Sequence, residues 1–264
     1  NIQKKIEATE YHEDHLHRCM RRPFDQRWLY YRKDFTSRAA WDVMEHMVSP
    51  GNLLLVTCRQ QSQPGEWRLV GVTDGLAECT AISNKTKEFN YGSPLYLRGG
   101  TADSGQDLRS NIKPDFLRML SDALTQSSPQ DEVQIDPSSV FGFIYAILHS
   151  ASYRRAYSGS LRIDFPRIPT PSKTSLFIEL SKRGNRLIDE HLLRNPVGRD
   201  GQVQYKGEPN PLVGVVAHED GTVWLDKMKK NAVSGVSEDA WSFRIGCYPV
   251  LEHWLKNRNG RTLS

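Results

Sequence analysis

Cysteine is scarce in this sequence. Its 264 residues hold four, Cys19, Cys58, Cys79 and Cys247, scattered and without a C-x-x-C pair. That excludes a disulfide framework and a cysteine-built zinc site, and implies a reduced, cytoplasmic protein. No apolar run approaches the length of a membrane span and no charged-then-apolar leader opens the chain, so neither insertion nor secretion is expected. No G-x-x-x-x-G-K-[ST] is present, and the lone Gly-x-Gly stretches fall in loops, which excludes a phosphate cradle and a dinucleotide fold. Neither sign of charge dominates: 35 Lys+Arg stand against 31 Asp+Glu, a net +4. A polyanionic partner is permitted by that balance and not demanded by it. There is no internal repeat and no low-complexity tract. The chain opens on Asn1 rather than Met, which points to a piece cut from something longer.

What is there centres on Asp136 to His191. Val140 to His149 is almost continuously apolar, which predicts a helix buried on most of its surface, entered through Asp136 as N-cap and Pro137 at the first helical position. Ser152 to Tyr157 reads as a further helical turn. Pro166, Pro169 and Pro171 then forbid helix and central strand, leaving an extended connector. Leu176, Phe177, Leu180, Gly184, Leu187 and Ile188 recur at helical spacing, predicting a long helix from near Ser172 that ends before Pro196. His149 and His191 read as hydrogen-bonded core histidines.

On either side the pattern is shorter. Residues 1–21 read as a charged, histidine-rich helix or linker. His12, His15 and His17, with Glu13, Asp14 and Cys19, are metal-ligand types at a spacing that fits no ligand pattern, so no metal is assigned. Strands are predicted at Arg27–Tyr31, Asn52–Cys58, Trp67–Thr73, Thr80–Ser83 and 94–97, and helices at Ser37–Val48 and Pro114–Leu124. Residues 99–111 and 125–134 read as polar loops. Beyond the spine, Leu212–Ala217, a turn at Glu219-Asp220-Gly221, and Thr222–Leu225 read as a hairpin. Trp241–Tyr248 reads as a strand and Pro249–Arg258 as a final helix; Trp224, Trp241 and Trp254 read as core. The sum is an α+β fold. It has a mixed β-sheet front part over residues 1–110, a helical spine over 111–195, and a smaller β-hairpin and helix over 196–264 packing on the spine, possible as one domain.

Three stretches, VFGFIYAILHSASYRRAY, LRIDFPRIPTP and LFIELSKRGNRLIDEHLL, resemble the C-terminal specificity region of type ISP restriction–modification enzymes and their fused N6-adenine methyltransferase relatives. In order around them, Arg22-Pro23-Phe24-Asp25-Gln26-Arg27-Trp28-Leu29-Tyr30-Tyr31 resembles the family's R-P-F-D-x-R-W-x-Y-Y block, with Thr57-Cys58-Arg59-Gln60 following. Trp241 to Tyr248 and Trp254-Leu255-Lys256-Asn257-Arg258 resemble its W-x-F-x-I-G-x-Y and W-L-K-x-R blocks. The resemblance implies a target-recognition domain for double-stranded DNA. It also implies upstream methyltransferase and helicase-nuclease parts that use S-adenosylmethionine and flip an adenine into a pocket outside this chain. No D/N-P-P-Y/F block is present, since Asn210-Pro211 lacks the second proline and the aromatic. Glu179 and Lys182 read as a surface pair, and eight histidines and four cysteines without geometry define no catalytic set. This chain is expected to catalyse nothing by itself.

Arginine forks guanine, glutamine forks adenine, and a carboxylate accepts from cytosine N4. Arg59, Gln60 and Gln61 at one strand end, with Arg68 and Asp74 on nearby loops, are therefore the base-reading candidates; Asn90 shares their loop chemistry. Lys85, Lys87, Arg21, Arg22 and Arg32 are the phosphate-clamping candidates. Arg27 reads as readily as packed on Trp28 or Tyr31, or paired with Asp25, as it does as a DNA contact, and Lys227, Lys229 and Lys230 read as a solvated turn. Two rival readings stand beside it: a docking scaffold for methyltransferase and motor domains with the apolar spine helix as contact surface, and a part of a methyltransferase-type phage-exclusion protein whose specificity is supplied by a partner.

Overall fold

The computed structural model describes residues 2–36, 39–99, 108–127, 135–194 and 203–263. Helix α1 (Ile2–Glu7) leads through a short turn into strand β1 (Leu16–Arg22), which reverses into the antiparallel β2 (Asp25–Tyr30). The helix or linker expected over residues 1–21 thus begins as helix and ends as strand. Cys19 and Met20 are buried in the core while Arg18 and Arg21 are exposed, so the charged stretch is part of a sheet rather than a free helix. Of the helix expected over Ser37–Val48, α2 (Trp41–Met44) and a 3-10 turn through Met47 are formed; Ala40, at φ 44°, cannot be helical, and Ser37 lies outside the described residues.

Strand β3 (Leu54–Cys58) is central, with β4 (Val70–Thr73) on one side. The two-residue β5 (Leu76–Ala77) pairs parallel to β1, which makes that sheet mixed. Strand β6 (Asn90–Pro94) flanks β3 on its other side. Thr80–Ser83, expected as a strand, is instead a buried loop whose Ile82 carbonyl accepts the Cys247 N–H at 3.0 Å. β7 (Tyr96–Arg98) pairs with β8 (Leu108–Ser110), so the end of the expected 99–111 loop is also strand.

Helix α3 (Pro114–Ser127) runs three residues past its expected end. Helix α4 (Pro137–His149) begins as the sequence predicts: the Asp136 carboxylate accepts the Ser139 N–H at 2.8 Å and Ser139 Oγ accepts the Asp136 N–H at 3.1 Å. Such a capping box contributes about 1 kcal/mol. Helices α5 (Ala151–Ala156) and α6 (Ser158–Ile163) follow, then the proline-bearing connector, then α7 (Thr174–His191). On α7 Glu179 pairs with Arg183, not with Lys182. Helices α4 and α7 cross where Gly142 meets Gly184, and around that crossing Val140, Phe143, Phe177 and Ile188 are buried. Each fully buried side chain of this size contributes about 1.5–3 kcal/mol.

The C-terminal part is a sheet of β9 (Gln204–Lys206), β10 (Ala217–Glu219), β11 (Thr222–Trp224) and β12 (Ala232–Ser234), in the order β10-β11-β12-β9. The strand expected at Leu212–Ala217 is displaced: only Ala217 belongs to it, while the Val213 and Gly214 amides donate to Arg261 and Leu225 carbonyls. Trp241 is also corrected from strand to helix. It lies in α8 (Glu238–Ser242), which Ser237 caps, and β13 (Arg244–Ile245), β14 (Tyr248–Pro249) and α9 (Val250–Lys256) complete the chain. Trp224, Trp241 and Trp254 are half-buried; Trp67 is the tryptophan in the core. The largest core joins β1, β3 and β4 to Tyr145, Leu148 and Ile188 of the spine and to Ile245 and Val250. Among the described residues no helix is long and apolar enough to cross a membrane.

Candidate functional site

Strand β3 is buried along most of its length, and its exit at Cys58 sets Arg59, Gln60 and Gln61 at the edge of the core. The loop they begin is fixed by Glu88, which is 2% exposed. Its Oε1 accepts the Ser62 N–H at 2.6 Å, the Ser62 hydroxyl at 2.8 Å and the Gln63 N–H at 3.2 Å, while Oε2 accepts the Ser83 hydroxyl at 2.5 Å. Among the described residues four donors and no cation meet this carboxylate, so within them it is held by dipoles alone. The carboxylate thereby ties the loop after β3 to the loop that carries Lys85 and Lys87. Both lysines are exposed, and among the described residues neither has an ion-pair partner; Lys87 sits in the left-handed region at φ 69°.

The connector closes the other side. The Gln61 N–H donates to the Arg162 carbonyl at 3.1 Å, Arg59 Nε donates to Asp164 Oδ1 at 3.1 Å, and Tyr91 meets Phe165 edge-on with centroids 4.9 Å apart. Arg162 and Arg167 are exposed beside these contacts, as are Phe89 and Tyr91. The end of α6 and the connector that follows it therefore add cations and aromatics to the same surface.

The remaining candidates are distributed differently. Gln60 is half-buried, and Gln61 turns its amide inward, with Nε2 donating to the Gly65 carbonyl at 3.3 Å and Oε1 buried. Arg68 spends two nitrogens on Glu66, whose carboxyl is held below its usual range first by that hydrogen bond. Asp74 pairs with Arg194 at 3.3 Å, and the Asn90 amide donates to the Glu78 carbonyl at 2.8 Å. Arg21, Arg22 and Arg32 belong to the β1–β2 side. Arg22 pairs with Glu78 and lies over Tyr248, Arg32 clasps both Asp34 oxygens at 3.0 Å, and Arg21 stands 3.7 Å from Asp25. Arg27 resolves to its ion pair with Asp25. A cleft of about 680 Å³ opens there, with Trp28, 67% exposed, on its wall. Lys229 pairs with Glu219 over Trp224. Among the described residues no three or more His, Cys, Asp or Glu converge as a metal site.

The described residues thus set a loop-borne, cation-bearing surface on an α+β scaffold. The family model of the Type ISP C-terminal specificity domain matches residues 1–264. The chain belongs to that family. Among solved structures, this specificity domain is similar to part of the ATP-dependent Type ISP restriction-modification enzyme LlaBIII bound to DNA, with a TM-score of 0.72 and 18% identity over 99% of this chain. It is also similar to part of a nuclease-deletion mutant of the Type ISP enzyme LlaGI in complex with a DNA substrate mimic (TM-score 0.66, 18% identity, 96% of this chain). A third likeness is to the DrdV–DNA complex determined by cryo-electron microscopy (TM-score 0.73, 20% identity, 95% of this chain). The specificity domain spans 17%, 18% and 24% of the lengths of those three chains, and at these identities the likeness establishes the fold. No curated protein sequence matches it.

Proposed function

We propose that this specificity domain reads a sequence in double-stranded DNA on behalf of methyltransferase and helicase-nuclease parts of the same polypeptide. The observation that carries the reading is the whole-chain match to a specificity-domain family. Three like-folded structures, each solved with DNA or a DNA mimic, support it. The surface at the end of β3 has the matching chemistry: Arg59, Lys85, Lys87, Arg162 and Arg167 expose positive charge around a loop pinned by Glu88. Lysines on such a surface clamp phosphates, and an arginine whose fork is free reads base edges. Arg21, Arg22 and Arg32 are candidates for an outer clamp, each already balanced by a carboxylate of the chain.

S-adenosylmethionine belongs, in this reading, to the methyltransferase part. The residues of this chain do not fit the target-base pocket that goes with it, because Asn210 is followed by Pro211 and Leu212 rather than by a second proline and an aromatic. The docking-module rival is not favoured. It needs the apolar face of α4 as a contact surface, and that face, Val140, Phe141, Phe143, Tyr145 and Leu148, is core.

The test is selection of the purified chain against a pool of randomised duplexes. One enriched sequence is expected, bound with an affinity that falls steeply as salt rises. Equal weak binding to every duplex would remove the reading.

A further inference from the structure

Arginines differ in how much of the guanidinium a fold leaves available, and here the difference is sharp. Arg68 spends Nε and Nη2 on Glu66, Arg32 spends Nε and Nη2 on Asp34, and Arg22 gives Nη1 to Glu78. Arg59 gives only Nε, to Asp164 Oδ1 at 3.1 Å, and among the described residues its two terminal nitrogens have no partner. Its side chain is 55% exposed. Terminal nitrogens left free while Nε is tethered present the fork that guanine O6 and N7 accept.

The tether is itself fixed. Asp164 caps the C-terminus of α6 in extended conformation, and the Phe165 N–H and the Arg59 guanidinium keep its carboxyl ionised by holding it below the usual range. Phe165 is set edge-on against Tyr91 of β6, and Gln61, two residues beyond Arg59, is bonded to the Arg162 carbonyl of α6. Aspartate and arginine are 105 residues apart in sequence, so two separate elements meet to form this pair. As an exposed ion pair it adds little to stability. Its physical effect is to remove rotamer freedom from a long side chain before that side chain meets a ligand.

We propose that Asp164 is a positioning residue that aims Arg59 at a guanine of the recognised duplex. This rests on the DNA-reading function proposed above, and it names one base and the two residues that read it. The experiment is selection from randomised duplexes with the wild-type chain and with Arg59→Ala, Arg59→Lys, Asp164→Ala and Asp164→Asn, each first shown to melt as the wild type does.

Wild type should enrich a sequence containing a guanine whose replacement weakens binding about tenfold or more. Arg59→Ala and Arg59→Lys should abolish preference at that one position, the lysine because an ammonium cannot fork. Asp164→Ala should reduce the same preference, Asp164→Asn should keep most of it because the amide oxygen still accepts from Nε, and the Arg59→Ala/Asp164→Ala pair should lose no more than Arg59→Ala alone. If Asp164→Ala strengthens binding to all duplexes equally and leaves every preference intact, the carboxylate is only a charge and the positioning role is wrong. If wild type enriches a sequence and Arg59→Ala changes no position, the guanine contact is wrong while the DNA-reading function stands. If wild type enriches nothing, the function itself fails and takes this inference with it.

Discussion

Asp25, 1% exposed, accepts a hydrogen bond from Arg258 Nη2 at 3.2 Å across 233 residues of sequence. The same carboxylate receives Arg27, so the two blocks of sequence that most resemble the family at its opposite ends meet at one buried charge. Arg258 also lies 3.4 Å from the centroid of Trp254, which packs its flat face. These residues hold the ends of the domain together. Removing the carboxylate leaves three guanidinium groups, those of Arg21, Arg27 and Arg258, without their anion. Asp25→Ala is expected to cost about 3 kcal/mol in chemical denaturation, and Arg258→Ala less, because Arg27 still serves Asp25.

The crossing of α4 and α7 makes a second prediction. A Cβ at Gly184 would lie 1.8 Å from the Gly142 carbonyl oxygen, and one at Gly142 would lie 2.5 Å from the Ser181 carbonyl oxygen. Both obstacles are main chain, which cannot swing aside as a side chain can. Gly184→Ala should force the helices apart at a cost of about 3 kcal/mol or more, measured by thermal or denaturant unfolding. Ala substituted at the exposed Gly159, where nothing lies within 4 Å, should be neutral or slightly stabilising.

What the sequence revealed of this fold follows how local each signal is. Val140–His149 and Leu54–Cys58 are apolar over their own lengths, and Asp220-Gly221, both at positive φ, carries its turn chemistry in two residues. Leu16–Arg22 is a strand because Asp25–Tyr30 and Leu76–Ala77 lie beside it, and nothing within those seven residues announces either neighbour. The site shows the same limit. Arg59 and the loop after β3 are legible as the end of a buried strand. That Gln61 turns inward, that Arg68 and Asp74 are already paired, and that Asp164 tethers Arg59 are long-range facts. Between Lys87 and Phe89, Glu88 reads from sequence as a surface charge; only the fold buries it.

Glu88 carries the third prediction. Glu88→Ala orphans the Ser62 and Gln63 amides and the Ser83 hydroxyl, at a cost of about 1–3 kcal/mol. It should also raise amide exchange in residues 59–63 above that of β3. Glu88→Gln keeps one oxygen for the two amides and should recover most of the loss. Equal stability of the alanine variant would mean that the loops hold themselves.

A fourth prediction concerns acid. Burial pushes His149 down to about 2, helped by Arg154 and His191, and burial pushes His191 down to about 4. Both rings are therefore neutral in the fold, and the Tyr145 hydroxyl and His191 Nδ1 share a hydrogen bond of 2.6 Å. Unfolded histidine takes up its proton near pH 6.5, so this contribution to stability is complete above that pH. It is lost as pH falls towards 4, at up to about 1.4 kcal/mol per pH unit for each ring. His191→Gln, which can still bond Tyr145 and does not titrate, should show a shallower fall in unfolding free energy between pH 6.5 and 4.5 than the wild type.

The last prediction separates clamping from reading. Lys85 and Lys87 are exposed, without ion-pair partners among the described residues, and fixed relative to Arg59 through the Glu88 carboxylate. An ammonium near a phosphate displaces a condensed counterion and carries no base information. Lys85→Ala and Lys87→Ala should therefore weaken binding to all duplexes by a similar factor, and each should lower the slope of log K against log salt by about 1. The enriched sequence should be unchanged, whereas Arg59→Ala should alter it at one position. A lysine variant that changed the preferred sequence while leaving the salt slope intact would reassign that residue from phosphate to base, and would put the loop carrying it inside the groove.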